Sequence, residues 1–210
     1  MAKLTFAWVL STALLIGSAA QAHEVLPSIA DMEVQDDELV FNVRMSLESF
    51  VAGIDQSSTT DTNDAPQAVE YDELRALSDD EIAARFTDFW PEMAQNINVL
   101  LDGEKAELTL NSVTVTPTEN IELPRVSNVE FTAAVAADAQ TVAVSCDSSY
   151  GSMVLRQNGV VEPFDGYLDA GASSGEIKLA GGNEISGWQT FFNYIPVGFD
   201  HIVPKGLDHI

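Results

Sequence analysis

Positive charge is scarce in this chain. Nine Lys and Arg stand against 33 Asp and Glu, a formal net charge of −24, and such a surface repels nucleic acid and anionic lipid. The excess acid serves either solubility and salt adaptation or a cation-collecting face, and identifies no metal by itself. Histidine is scarcer still: His23, His201 and His209 are the only three. A Ser/His or Cys/His catalytic pair would have to recruit one of them from an extreme of the chain. No His-Glu-x-x-His or phosphate-loop motif is present either, so the sequence is not read as that of an enzyme. The single cysteine, Cys146, excludes an intramolecular disulfide. Its run Thr141-Val142-Ala143-Val144-Ser145-Cys146 alternates like a strand, and the expectation is a buried, inert thiol rather than a reactive or metal-binding one.

Lys3, the apolar run Leu4 to Ile16 and the small-residue site Ala20-Gln21-Ala22 form the pattern of a secretory signal. The run is short for a bilayer span, which disfavours the alternative of an uncleaved anchor. Cleavage after Ala22 makes His23 the first residue of an exported chain facing the periplasm.

Residues 28–34 and 39–47 read as two strands around Gln35-Asp36-Asp37-Glu38. Leu39, Phe41, Val43, Met45 and Leu47 share one face of the second, with Asn42, Arg44 and Ser46 on the other. Further strands are expected at 97–101 and 106–115 around Asp102-Gly103, at 126–136 and 140–147, at 152–157 and 160–168 around Asn158-Gly159, and at 175–180. Between the second and third strands, 56–64 is polar and reads as a solvated loop. A helix follows Pro66 to about Leu77. Ser78-Asp79-Asp80-Glu81 is a capping box opening a second helix, whose Ile82, Phe86, Phe89, Trp90 and Met93 form an apolar stripe and which Pro91 should end or kink.

The resulting expectation is a mainly β fold: an antiparallel β-sandwich of roughly seven to nine strands, with an immunoglobulin-like topology as one form, and an inserted α-helical segment at 48–96. Its domain runs from 23 to 183. Residues 184–210 are dense in aromatics suited to a membrane–water boundary and read as a C-terminal helix or linker to a bilayer, with an aromatic core segment as the alternative.

The last thirteen residues repeat an Asp-His-Ile unit, Asp200-His201-Ile202 and Asp208-His209-Ile210. Two imidazoles with adjacent carboxylates suit a borderline divalent cation. On a continuous helix, positions eight apart are separated by about 12 Å of rise and roughly 80° around the axis, too far to chelate one ion. A break at Pro204 and Gly206 would bring them together, and broken helices are what transporters use for ions. Independent capping or interfacial histidines are the plainer alternative. A second metal candidate is His23, whose ring and freed α-amino group would form a chelating pair. A third is the acidic loop of Asp55, Asp61, Asn63 and Asp64, with Asp72 beyond. It lacks the central Gly and closing Glu of an EF-hand, which is rejected; a solvated loop is the simpler reading.

The run His201-Ile202-Val203-Pro204-Lys205-Gly206-Leu207-Asp208-His209 resembles the entry to the first transmembrane helix of the HupE/UreJ family, membrane proteins associated with nickel or cobalt uptake. Weaker resemblances to the outer domain of that family's longer members lie at Ala22-His23-Glu24-Val25, Ala65-Pro66 with Glu70-Tyr71-Asp72, Phe89-Trp90-Pro91 and Leu155-Arg156-Gln157. The spacing of eight between the histidines is one longer than the family's compact form. The resemblance implies an extracytoplasmic domain cut at the start of its first span, anchored in the membrane through its C-terminal segment when full length. It also implies His201, Asp208 and His209 as metal residues, with Asp200 in a lesser role. Nickel or cobalt would then be the transported ion, with no tightly bound cofactor, no nucleic-acid partner and no protein partner identified. A free periplasmic metal-binding or scaffolding sandwich is the rival reading.

Overall fold

The structure, a computed structural model, describes residues 25–117 and 125–183. Period-2 patterning builds its first hairpin. Strand β1 (Ser28–Gln35) and strand β2 (Glu38–Met45) pair antiparallel around Asp36, whose φ of 52° lies in the left-handed region that a short polar side chain tolerates. Leu39, Phe41, Val43 and Met45 are all buried while Arg44 is exposed, so the inferred face of β2 is the core face. Leu47, expected to continue that face, instead opens a short helix α1 (Leu47–Val51). It stays fully buried there, because the turn of the helix redirects it into the same core.

Two further helices follow, α2 (Ala68–Arg75) and α3 (Asp79–Asn96). The capping box forms as the sequence predicts: Ser78 Oγ accepts from the Glu81 amide at 3.4 Å, and the Ser78 amide donates to Glu81 Oε2 at 2.9 Å. Of the two expectations for Pro91, an end to the helix is not met. The backbone stays helical past it to Asn96, because Met93 on the following turn and Ile97 just beyond are both buried. Tertiary burial there offsets the hydrogen bond that proline removes. The segment 56–64 is mostly exposed, as expected of a solvated loop, except at Thr62. It holds a 3₁₀ turn, Thr62–Asp64, with Thr62 only 4 % exposed.

The remaining strands are β3 (Ile97–Leu101), β4 (Glu104–Lys105), β5 (Leu108–Val115), β6 (Ser127–Ala134), β7 (Thr141–Cys146), β8 (Met153–Gln157), β9 (Asp165–Leu168) and β10 (Ile177–Lys178). They form a mainly β fold of two sheets, one in the order β5-β6-β2-β1-β8-β9 and one in the order β10-β7-β3-β4. All pairings are antiparallel except β1 with β8. Two sequence expectations are corrected. The segment 106–115 does not continue the hairpin with 97–101. Only β4 turns back on β3, and the chain then crosses to the larger sheet as β5. Asn158-Gly159 does not close a tight turn, since β9 begins only at Asp165. The Asn158 amide donates to Met32 O at 2.8 Å, so it serves β1 rather than a two-residue hairpin.

The core lies between the sheets and against α3. Phe41 and Phe131 stack with ring centroids 4.8 Å apart, and Trp90 reaches Phe131 at 5.1 Å. A residual space of about 40 Å³ is bounded by Phe41 and Val129 of one sheet, Ile97 and Val144 of the other, and Trp90 of α3.

Candidate functional site

His201, Asp208, His209, Asp200 and His23 all lie outside the described residues, as do the signal-like segment and 184–210. Among the described residues no group of three or more His, Cys, Asp and Glu could hold a metal ion, and no helix is long and apolar enough to cross a membrane.

The acidic loop is held by its own side chains. Asp55 Oδ1 accepts from the amide and hydroxyl of Ser57 at 3.0 and 2.6 Å, which holds its carboxyl below the usual range. Asp61 caps the 3₁₀ turn by accepting from the Asn63 amide at 2.9 Å. Asp147 repeats the first arrangement with Ser149 at 2.9 and 2.7 Å, and its carboxyl is likewise held low by the Ser149 hydroxyl and amide. These carboxylates brace turns.

Cys146 ends β7. Burial, followed by the charge of Asp147, pushes its thiol up to about 12. Because the thiolate is the nucleophile, alkylation by iodoacetamide at pH 8 is expected to run at least about a hundredfold slower in the folded chain than in urea-unfolded chain. Equal rates would show an accessible, activated thiol.

The Gly-x-Ser-x-Gly spacing does occur once, at Gly171-Ala172-Ser173-Ser174-Gly175. It lies in turns between β9 and β10 rather than in the strand-to-helix turn that exposes a nucleophile. Ser173 Oγ accepts from the Gly175 amide at 3.2 Å and Ser174 Oγ accepts from the Val144 amide at 2.9 Å, so both hydroxyls organise the loop.

Three residues in the strings that carry the family resemblance have structural work. Tyr71 is buried beneath Arg75, whose guanidinium lies 5.5 Å from the ring centroid and donates to its hydroxyl at 3.2 Å. Arg156 donates to both oxygens of Asp31 at 2.7 and 2.9 Å across the parallel pairing. Gln157 saturates its amide. Its Nε2 donates to Lys178 O and Leu179 O, while its Oε1 accepts from the Phe164 amide and from Asn183 Nδ2. One buried side chain thus stitches β8 to the β10 segment of the other sheet.

Arg125 is the node that sequence patterning missed. Its Nε donates to Glu48 Oε1 of α1 at 2.7 Å, with side-chain exposures of 4 % and 1 %. Nη1 reaches Asp79 Oδ1 at 2.9 Å and Leu77 O at 3.1 Å, and Nη2 reaches Arg75 O at 3.1 Å. The guanidinium therefore satisfies carbonyls at the end of α2 and just beyond it, and an acid in the first turn of α3. Burial opposes its charge, but the hydrogen bonds to Glu48 and Asp79 outweigh that and raise its pKa.

Beside α1, a cavity of about 380 Å³ opens at the end of β1 and β2. Ile29, Arg44, Ser49, Gln56, Thr62 and Val126 are among its walls.

No protein-family model matches the chain, and no curated protein matches it.

Proposed function

We propose that this chain is the extracytoplasmic domain of a HupE/UreJ-like membrane protein, with a part in nickel or cobalt acquisition. The observation that carries this reading is the terminal repeat Asp200-His201 and Asp208-His209 around Pro204 and Gly206. It is joined to a signal-like N-terminus and, in between, a mainly β domain in which Asp55, Asp61 and Asp147 brace turns. In this reading the domain stands outside the membrane. The ion is cargo taken by His201, Asp208 and His209, with Asp200 assisting, where neighbouring helices supply further ligands and fix the imidazoles.

The test is radiolabelled nickel and cobalt accumulation in cells expressing the whole reading frame, at matched protein levels. His201→Ala, Asp208→Ala and His209→Ala are each expected to lower accumulation at least about tenfold, the usual cost of disturbing a metal ligand's shell. Export and the circular dichroism of the domain should be unchanged. Full accumulation in all three variants removes the terminal motif from transport. Tight nickel binding by residues 23–183 alone, lost on His23→Ala, would instead establish the free periplasmic metal-binding protein.

A further inference from the structure

Buried polar atoms in folded chains almost always have hydrogen-bond partners, so exceptions point to a group that belongs there. Three buried side-chain atoms among the described residues have none: Gln56 Nε2, Thr62 Oγ1 and Ser127 Oγ. The first two belong to residues that line the same cavity of about 380 Å³. Its volume falls within the range of small-molecule sites, with room for on the order of ten water-sized groups.

The chemistry of the walls narrows the ligand. Arg44 is the one charged residue among the described residues that line the cavity. Among the described residues its one ion pair is long, 3.8 Å to Asp31, whose oxygens are already taken by Arg156 at 2.7 and 2.9 Å. Most of the Arg44 donors are therefore unengaged among the described residues. The Gln56 amide nitrogen donates only, and the Thr62 hydroxyl is free to donate. Three side chains thus offer hydrogens and one a positive charge. The remaining walls are largely apolar, and Leu26 and Val126 stand 54 % and 45 % exposed at them, two of the few large hydrophobics the fold leaves open. Water could fill part of this space, but each ordered water needs two to four polar partners, roughly, and apolar walls supply none.

We infer that the cavity binds a small organic acid with an aliphatic tail. Gln56 Nε2 and Thr62 Oγ1 are buried as they stand, and a rotation of the two side chains lets the carboxylate accept from both beside Arg44, while the tail covers Leu26, Ile29 and Val126. This goes beyond metal transport and does not depend on it.

Isothermal titration of the exported chain with octanoate, octan-1-ol and acetate tests the assignment. About 0.15 M salt screens the repulsion between an anion and the acidic surface. Octanoate is expected to bind saturably, with acetate at least about tenfold weaker because the tail contacts are gone. Thr62→Val and Gln56→Leu should each weaken octanoate about tenfold, as loss of a charge-assisted hydrogen bond does. Both should leave the melting temperature equal or higher, since each replaces an orphaned polar group with an apolar one. Arg44→Gln should weaken octanoate but not octan-1-ol. Absence of saturable octanoate binding at millimolar concentration overturns the proposal. So does unchanged affinity in both Thr62→Val and Gln56→Leu, or equal binding of acid and alcohol by wild type and Arg44→Gln.

Discussion

Arg125→Ala is expected to lower the stability of the domain by about 3–5 kcal/mol, the cost of stranding a buried charge. The residue left behind is Glu48, 1 % exposed on α1, whose other hydrogen bond is from Ser46 Oγ at 3.3 Å. The same substitution removes the donors to Leu77 O and Arg75 O, so the junction between α2 and α3 loses its cap as well as its counter-charge. Urea unfolding followed by circular dichroism measures the loss. The double variant Glu48→Gln with Arg125→Met separates the two contributions. Removing both charges relieves the stranded acid and should recover much of the stability, because a buried ion pair is expensive to break but cheap to replace whole. If the double variant is as unstable as Arg125→Ala, the carbonyl contacts outweigh the pair. If Arg125→Ala unfolds with wild type, the three-helix node contributes nothing.

Trp90→Ala should cost a comparable amount, about 3–5 kcal/mol. Trp90 is 7 % exposed and touches the aromatic layer from α3, with Phe131 at 5.1 Å and Phe86 at 6.4 Å. Truncation enlarges a space that is already about 40 Å³ and is bounded by both sheets, so little can collapse into it. Ser58 and Thr60, exposed in the loop beyond α1, provide the contrast: alanine at either should shift the urea midpoint negligibly. Coincident midpoints for Trp90→Ala and wild type would show that the helix does not pack on the sheet.

The parts of the fold that could be seen in the sequence are those specified within a few residues. The face of β2, the capping box at Ser78 and the stripe Ile82, Phe86, Trp90, Met93 depend on period and local hydrogen bonding. What escaped detection depends on distant partners. The switch of chain from β4 to β5 between sheets, the survival of α3 beyond Pro91 and the burial of Thr62 are each decided by tertiary packing that no local pattern encodes. Arg125 was the hardest to see, since its principal partner Glu48 lies 77 residues away. Its rarity was the available clue. In a chain with nine cations, a lone arginine beside a hydrophobic strand has many acids competing for it, and the structure buries it against one of them. The terminal metal candidates stood out in the sequence through the repeated Asp-His unit, and they, like His23, lie outside the described residues.

The parallel register of β1 on β8 sets a schedule for folding. Asp31 and Arg156 meet across 125 residues of chain, and at a synthesis rate of about 5–20 residues per second that interval takes roughly 6–25 s. Throughout it, one edge of the first strand has no neighbour, and pairing over such a separation is intrinsically slow. The acidic side chains of Asp31 and Glu33 on the waiting edge discourage a second chain from adding there meanwhile. Completion of the larger sheet is thus deferred until the far end of the domain has arrived, and a nascent chain stopped short of Met153 would carry that open edge permanently.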